Sequence, residues 1–113
     1  MSLDIKLKKL NGVPVLELVG RAIDVDVEKF SKKLESLYNK KGVPKIVVNL
    51  SKTNFVDSHG LGIIVYYNTL LQKEKRELVI LNANPDTGGY VYRLFELTNL
   101  DKVLRIVASQ EDI

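Results

Sequence analysis

The passage from Lys45 to Leu71 constrains this chain more than any other part of it. Lys45-Ile46-Val47-Val48-Asn49-Leu50 is an apolar run of strand length. It is apolar on both faces, as expected for a central strand covered on both sides. Ile63-Ile64-Val65-Tyr66-Tyr67-Asn68-Thr69-Leu70-Leu71 reads as a helix. Between them lies Phe55-Val56-Asp57-Ser58-His59-Gly60-Leu61-Gly62, so a serine stands where a loop turns into a helix. A hydroxyl at that place can accept a hydrogen bond from a backbone N–H two or three residues on, a cap worth roughly 1 kcal/mol. It can also be presented to a partner. Gly60 lets the first helical turn approach other backbone closely.

The rest of the chain falls into short elements around this passage. Asn11-Gly12 is a hairpin turn signal. The strand after it, Val13 to Val19, places Val13, Val15 and Glu17 on one face and Leu16 and Leu18 on the other. Pro14 puts its N-terminal end at an edge or strand start, and Gly20 is expected to end the hairpin. Asp24 or Asp26 can cap the next helix, where Val27, Phe30, Leu34 and Leu37 recur at helical spacing. Gly42 is its expected terminator. A second helix is expected from about Ser58 to Lys75, with Leu61, Ile64, Val65, Leu71 and one tyrosine facing inward. Leu78 to Leu81 is a short strand, and Asn82 to Gly89 a loop broken by Pro85 and Gly88-Gly89. Tyr90 to Leu97 is a third helix with Val91, Leu94 and Phe95 inward, and Val103 to Val107 a last strand. The order β-β-α-β-α-β-α-β predicts one α/β domain over residues 1–113. Its mixed β-sheet is opened by a β-hairpin, with helices packed against it and right-handed crossovers.

Composition removes several functions. The 113 residues include no cysteine, which excludes disulfides, thiolate metal sites and a cysteine nucleophile. His59 is the only histidine, and one histidine cannot build a metal site. Seventeen basic and fourteen acidic residues leave a net charge of +3. The basic residues are scattered, so no direct nucleic-acid partner is expected. The start has no signal-peptide pattern, and the densest apolar run, Leu61 to Tyr67, is far too short to span a bilayer. A soluble, cytoplasmic protein without membrane contact is expected.

No catalytic residue, metal or cofactor is expected either. Ser58 lacks the Gly-x-Ser-x-Gly elbow, and His59, next to it in sequence, points elsewhere and cannot serve as its base. A receiver-type aspartyl phosphate on Asp57 would need further carboxylates for Mg²⁺, and no acidic pair follows the first strand. Gly60-Leu61-Gly62 lacks the third small residue of a dinucleotide fingerprint, since Val65 stands there. Beside the capping role, Ser58 can also be read as a phosphorylation site. Phosphorylation would add roughly −2 charge and three acceptor oxygens at a helix start that tolerates an anion. Asp57 would repel the phosphate, and a docked partner would meet a dianion in place of a neutral hydroxyl.

Asp57-Ser58-His59-Gly60-Leu61-Gly62, after Val47-Val48-Asn49-Leu50 and Phe55-Val56, resembles the signature of anti-sigma factor antagonists, the STAS domain family. The resemblance continues at Arg93-Leu94-Phe95-Glu96-Leu97-Thr98-Asn99-Leu100-Asp101-Lys102-Val103 and at Leu18-Val19-Gly20 with Ile23-Asp24. It implies a STAS fold. It also implies that the unmodified protein binds an anti-sigma factor that is a serine kinase, freeing a sigma factor. Phosphorylation of Ser58 would release that kinase, and a serine phosphatase would reset the switch. Asp57 would shape the phosphoacceptor loop, Gly60 would permit close docking, and Asp24 matches a family aspartate near the loop. Asp24, Asp57, Ser58, His59 and Gly60 are thus the implied partner-binding residues. The chain departs from the family pattern in three places. His59 replaces a second small hydroxyl residue, the Gly20 to Asp24 segment is one residue longer, and Asp86-Thr87-Gly88-Gly89 is glycine-rich. The alternative function is a STAS-like scaffold or sensor module that binds another regulatory protein without a sigma-factor switch. A neighbouring gene for a small histidine-kinase-like ATPase would favour the switch.

Overall fold

A computed structural model describes residues 3–22, 25–82 and 88–113. Asn11 and Gly12 both take positive φ, 52° and 82°, as a tight two-residue hairpin turn requires. They fold β1 (Asp4–Leu10) back on β2 (Val13–Ala22) in antiparallel register, with Leu10 opposite Val13. Strands β3 (Lys45–Val56), β4 (Glu77–Leu81) and β5 (Arg105–Val107) then add in parallel, giving the sheet order β1-β2-β3-β4-β5. The crossovers are α1 (Val25–Asn39), α2 (Ser58–Lys73) and α3 (Gly88–Leu97). The predicted element order and mixed sheet are observed.

Strand alternation sorts the apolar residues into two layers. Leu16, Leu18, Ile46, Val48, Leu50, Leu78 and Ile80 face the helices and pack with Phe30, Leu34, Leu61, Ile64, Leu71, Val91 and Phe95 in one core. Val15, Val47, Val79 and Leu81 point the other way, joined by Leu10, Val13, Val107 and Ile113. The expected two-sided cover of β3 is therefore uneven. All three helices supply the first layer, while among the described residues the second face carries this small aliphatic patch. Beyond the patch, that face turns polar. Glu17 is buried there and ion-paired to Lys8 at 3.2 Å.

Helix α3 begins at Gly88, two residues inside the predicted loop, and four other boundaries differ from expectation, each for a local reason. Gly20 does not end the hairpin: β2 continues to Ala22, and Gly20 takes φ 109° beside a register shift. The buried Thr53 hydroxyl donates to the Leu18 carbonyl at 2.7 Å, satisfying backbone that the irregular ladder leaves over. β3 accordingly runs on to Val56, so that Phe55 and Val56 pair with Arg21 and Ala22. α2 stops at Lys73, with Lys75 in the left-handed region at φ 59°. Arg76 N–H donates to the Leu71 carbonyl at 2.8 Å and Lys75 N–H to that of Gln72 at 3.1 Å. This is a Schellman closure without its usual glycine. Val103 lies outside β5 and is exposed, following a 3-10 turn at Leu100–Lys102.

At the start of α1, Asp26 lies within the first turn, not before it, and pairs with Lys29 at 3.7 Å. The other expected cap, Asp24, lies outside the described residues, as do positions 83–87 of the predicted loop.

Candidate functional site

The Ser58 loop is anchored before the helix begins. Asp57 N–H donates to the Ala22 carbonyl at 3.1 Å, tying the end of β3 to the end of β2. Asp57 itself is extended, with φ −84° and ψ 178°, and is the N-cap of α2. Its carboxylate accepts from Gly60 N–H at 2.8 Å, while its carbonyl accepts from Leu61 N–H at 3.0 Å. The expectation that the Ser58 hydroxyl could cap this helix is corrected here. The aspartate one residue earlier has the extended conformation a cap needs, and Ser58 is already the first helical residue.

The Ser58 side chain is exposed, and the cap it might have supplied is already in place. Gly60 N–H is taken by Asp57, leaving the N–H groups of Ser58 and His59 outside the helical ladder, where an anion finds donors and a favourable dipole. His59 is exposed beside it.

Gly60 behaves differently. It is buried, and a Cβ there would meet Val56 Cγ1 at 2.7 Å and the Ala22 carbonyl oxygen at 3.4 Å. Its expected part in docking is therefore indirect: it lets the first turn of α2 sit on the ends of β2 and β3, and a partner would touch Ser58 and His59. Asp57 is half-buried, and Asp24 lies outside the described residues.

The structure adds a surface that the sequence reading passed over. Ser58, Leu61, Gly62, Val65, Tyr66, Thr98 and Leu100 line an open, mainly apolar groove of about 510 Å³ between α2 and the turn after α3. Tyr66 is 57% exposed, and Leu97, at the end of α3, is 77% exposed. Val65, expected in the buried stripe, is only half-buried and belongs to this groove. The signal was present in the spacing. Ser58, Gly62, Val65 and Tyr66 stand at i, i+4, i+7 and i+8, a second stripe beside the core-facing Leu61, Ile64 and Leu71.

No group of three or more histidine, cysteine or carboxylate side chains among the described residues could hold a metal ion. No described helix is long and apolar enough to cross a membrane.

An exposed serine on a rigid helix start, next to an apolar groove, gives this fold the features of a protein-docking module. Residues 4–113 match the STAS domain family, and the chain belongs to it. It is 26% identical over 110 residues to the anti-sigma F factor antagonist of Paenibacillus polymyxa, covering 97% of this chain and 91% of that protein. It is 31% identical over 93 residues to the anti-sigma-B factor antagonist of Staphylococcus aureus, covering 82% of each. The phosphorylated form of the Bacillus cell fate determinant SpoIIAA shares the fold, with TM-score 0.70 and 20% identity over 96% of this chain and 95% of that one.

Proposed function

We propose that this protein is an anti-sigma factor antagonist whose switch is Ser58. The unmodified form binds an anti-sigma factor that is also a serine kinase, and that binding frees a sigma factor in the cytoplasm. The kinase transfers a phosphoryl group to the Ser58 hydroxyl, the phosphorylated form dissociates, and a serine phosphatase restores the hydroxyl. Family membership and the two curated relatives support the partner class. The observation that carries the residue is the division of labour between neighbours: Asp57 caps α2, and Ser58 is exposed.

The physical effect of the modification follows from that division. A phosphate on Ser58 adds roughly −2 charge at the rim of an apolar groove. The N–H groups of Ser58 and His59 can donate to it without unwinding the helix. A partner seated over Ser58 and the groove would have to desolvate a dianion, and binding would weaken by several kcal/mol. Asp57 adds repulsion from the adjacent position. Partner contact thus falls to Ser58, His59 and the groove, with Asp57 and Gly60 holding the loop in shape.

Incubation of the protein with its anti-sigma factor kinase and ATP tests the assignment. Mass spectrometry should find one phosphate, on Ser58. A phosphate on another residue would overturn the assignment.

A further inference from the structure

Toward and just past the C-terminal end of α2, the fold buries two hydrogen-bond donors that find no acceptor among the described residues, and the two residues that carry them line one pocket. The first is Asn68 Nδ2; the Asn68 residue is 2% exposed. The second is Arg76 Nη2. Arg76 cannot swing to satisfy it, because its guanidinium is already held. Nε donates to the Val43 carbonyl at 2.8 Å, Nη1 donates to Glu74 Oε1 at 2.9 Å, and the group lies 5.1 Å from the Tyr38 ring centroid. Buried donors are normally paired, so two in one place call for an acceptor.

The pocket lies between α2, the start of β4 and the turn into β5, and measures about 290 Å³. Its apolar wall is Leu78 and Leu104, both buried, with the exposed Val103 at the rim. Arg105 and Glu77 also line it and pair with each other at 3.0 Å, while Lys45 reaches the same Glu77 oxygen at 3.4 Å. Of the lining side chains, two are cationic (Arg76, Arg105) and one is anionic (Glu77), an excess of one positive charge at the pocket.

From this geometry we infer that the pocket binds a small monocarboxylate with an apolar body. One carboxylate group supplies two acceptor oxygens, one for the Asn68 amide and one for the remaining Arg76 N–H. Its single charge matches the local excess, whereas a phosphate dianion would set a second charge beside Glu77. The volume is at the bottom of the ligand-pocket range, roughly 300–1,000 Å³, and suits a single ring or a short branched chain against Leu78 and Leu104. This site is independent of the Ser58 switch, and neither reading depends on the other.

The full chain titrated with benzoate tests the inference, with benzamide as the neutral analogue. Nuclear magnetic resonance should show saturable shifts of the Asn68 side-chain amide and of the backbone amides at Leu104 and Arg105. Benzamide should bind at least about tenfold more weakly, as should benzoate to Asn68→Leu, because each removes a charged or polar partner from a site built to pair it. Dispersed amide resonances in the variant establish that it remains folded, and the benzoate–benzamide comparison needs no variant at all. Absence of saturable shifts at millimolar benzoate, equal affinities for the two probes, or shifts confined to exposed lysines would overturn the site.

Discussion

The two ends of α2 are held by opposite means. At the N-terminal end, backbone and one aspartate do the holding: Asp57 binds Ala22 and caps Gly60, and the exposed serine beside them is spare. At the C-terminal end, long side chains do it. Tyr38 from α1 donates to Glu74, Arg76 pairs with the same carboxylate at 2.9 Å, and Arg76 Nε reaches Val43 before β3. That network ties α1, α2 and the entry to β3 together. The contrast accounts for the proposed switch lying at one end and not the other. A charge added where side chains carry the connections would break them, whereas a charge added at Ser58 meets free N–H groups and changes only the surface.

Gly60→Ala should give the largest effect. The new methyl would lie 2.7 Å from Val56 Cγ1, a buried β-branched side chain that cannot step aside. A loss of about 1–3 kcal/mol in urea denaturation is expected. A neutral result would mean that the N-terminal end is looser than described.

A smaller pair of effects separates neighbours. Asp57→Ala should cost about 1 kcal/mol as a lost N-cap, and Ser58→Ala less than about 0.5 kcal/mol. If thermal melts reversed that order, the serine would be the structural residue and the contrast would fail.

The smallest effect belongs to the far end and appears in pH dependence. The Tyr38 hydroxyl, then Arg76, hydrogen-bonds the Glu74 carboxylate and lowers its pKa. The folded protein therefore protonates Glu74 less readily than the unfolded chain does. Its contribution is complete above the ordinary glutamate range and is lost as the pH falls through the folded value. Glu74→Gln should melt earlier than the natural protein at neutral pH, with the gap closing below about pH 4. A gap that stays constant through the acid range would show that the pair contributes nothing in its charged form. Glu74 is exposed, so salt should shrink the difference as well.

Much of this architecture could be read from residue spacing. The buried stripe Val27, Phe30, Leu34 and Leu37 and the opposed faces of β2 came from period alone, because burial on one side leaves a regular trace. The misplaced ends share a different cause. Lys75 closes α2 in a conformation that favours glycine, and Gly20 marks a bulge inside β2 instead of its end. Both depend on backbone geometry set by tertiary hydrogen bonds, which composition does not encode. The motif placed Ser58 at the start of a helix, but whether it or Asp57 supplied the cap turned on one residue of register. The groove escaped notice because half of it comes from the turn after α3, and only the fold brings Thr98 and Leu100 against Val65 and Tyr66.

The central claim is that negative charge at residue 58 strongly weakens partner docking while the scaffold stands. Calorimetry of Ser58→Ala and Ser58→Asp against the anti-sigma factor kinase, alongside the melting temperature of each variant, tests it most directly. The account predicts binding retained in the alanine variant, strongly weakened in the aspartate variant, and similar melting temperatures for the two. Equal affinities, or an aspartate variant that loses binding only because it unfolds, would contradict it.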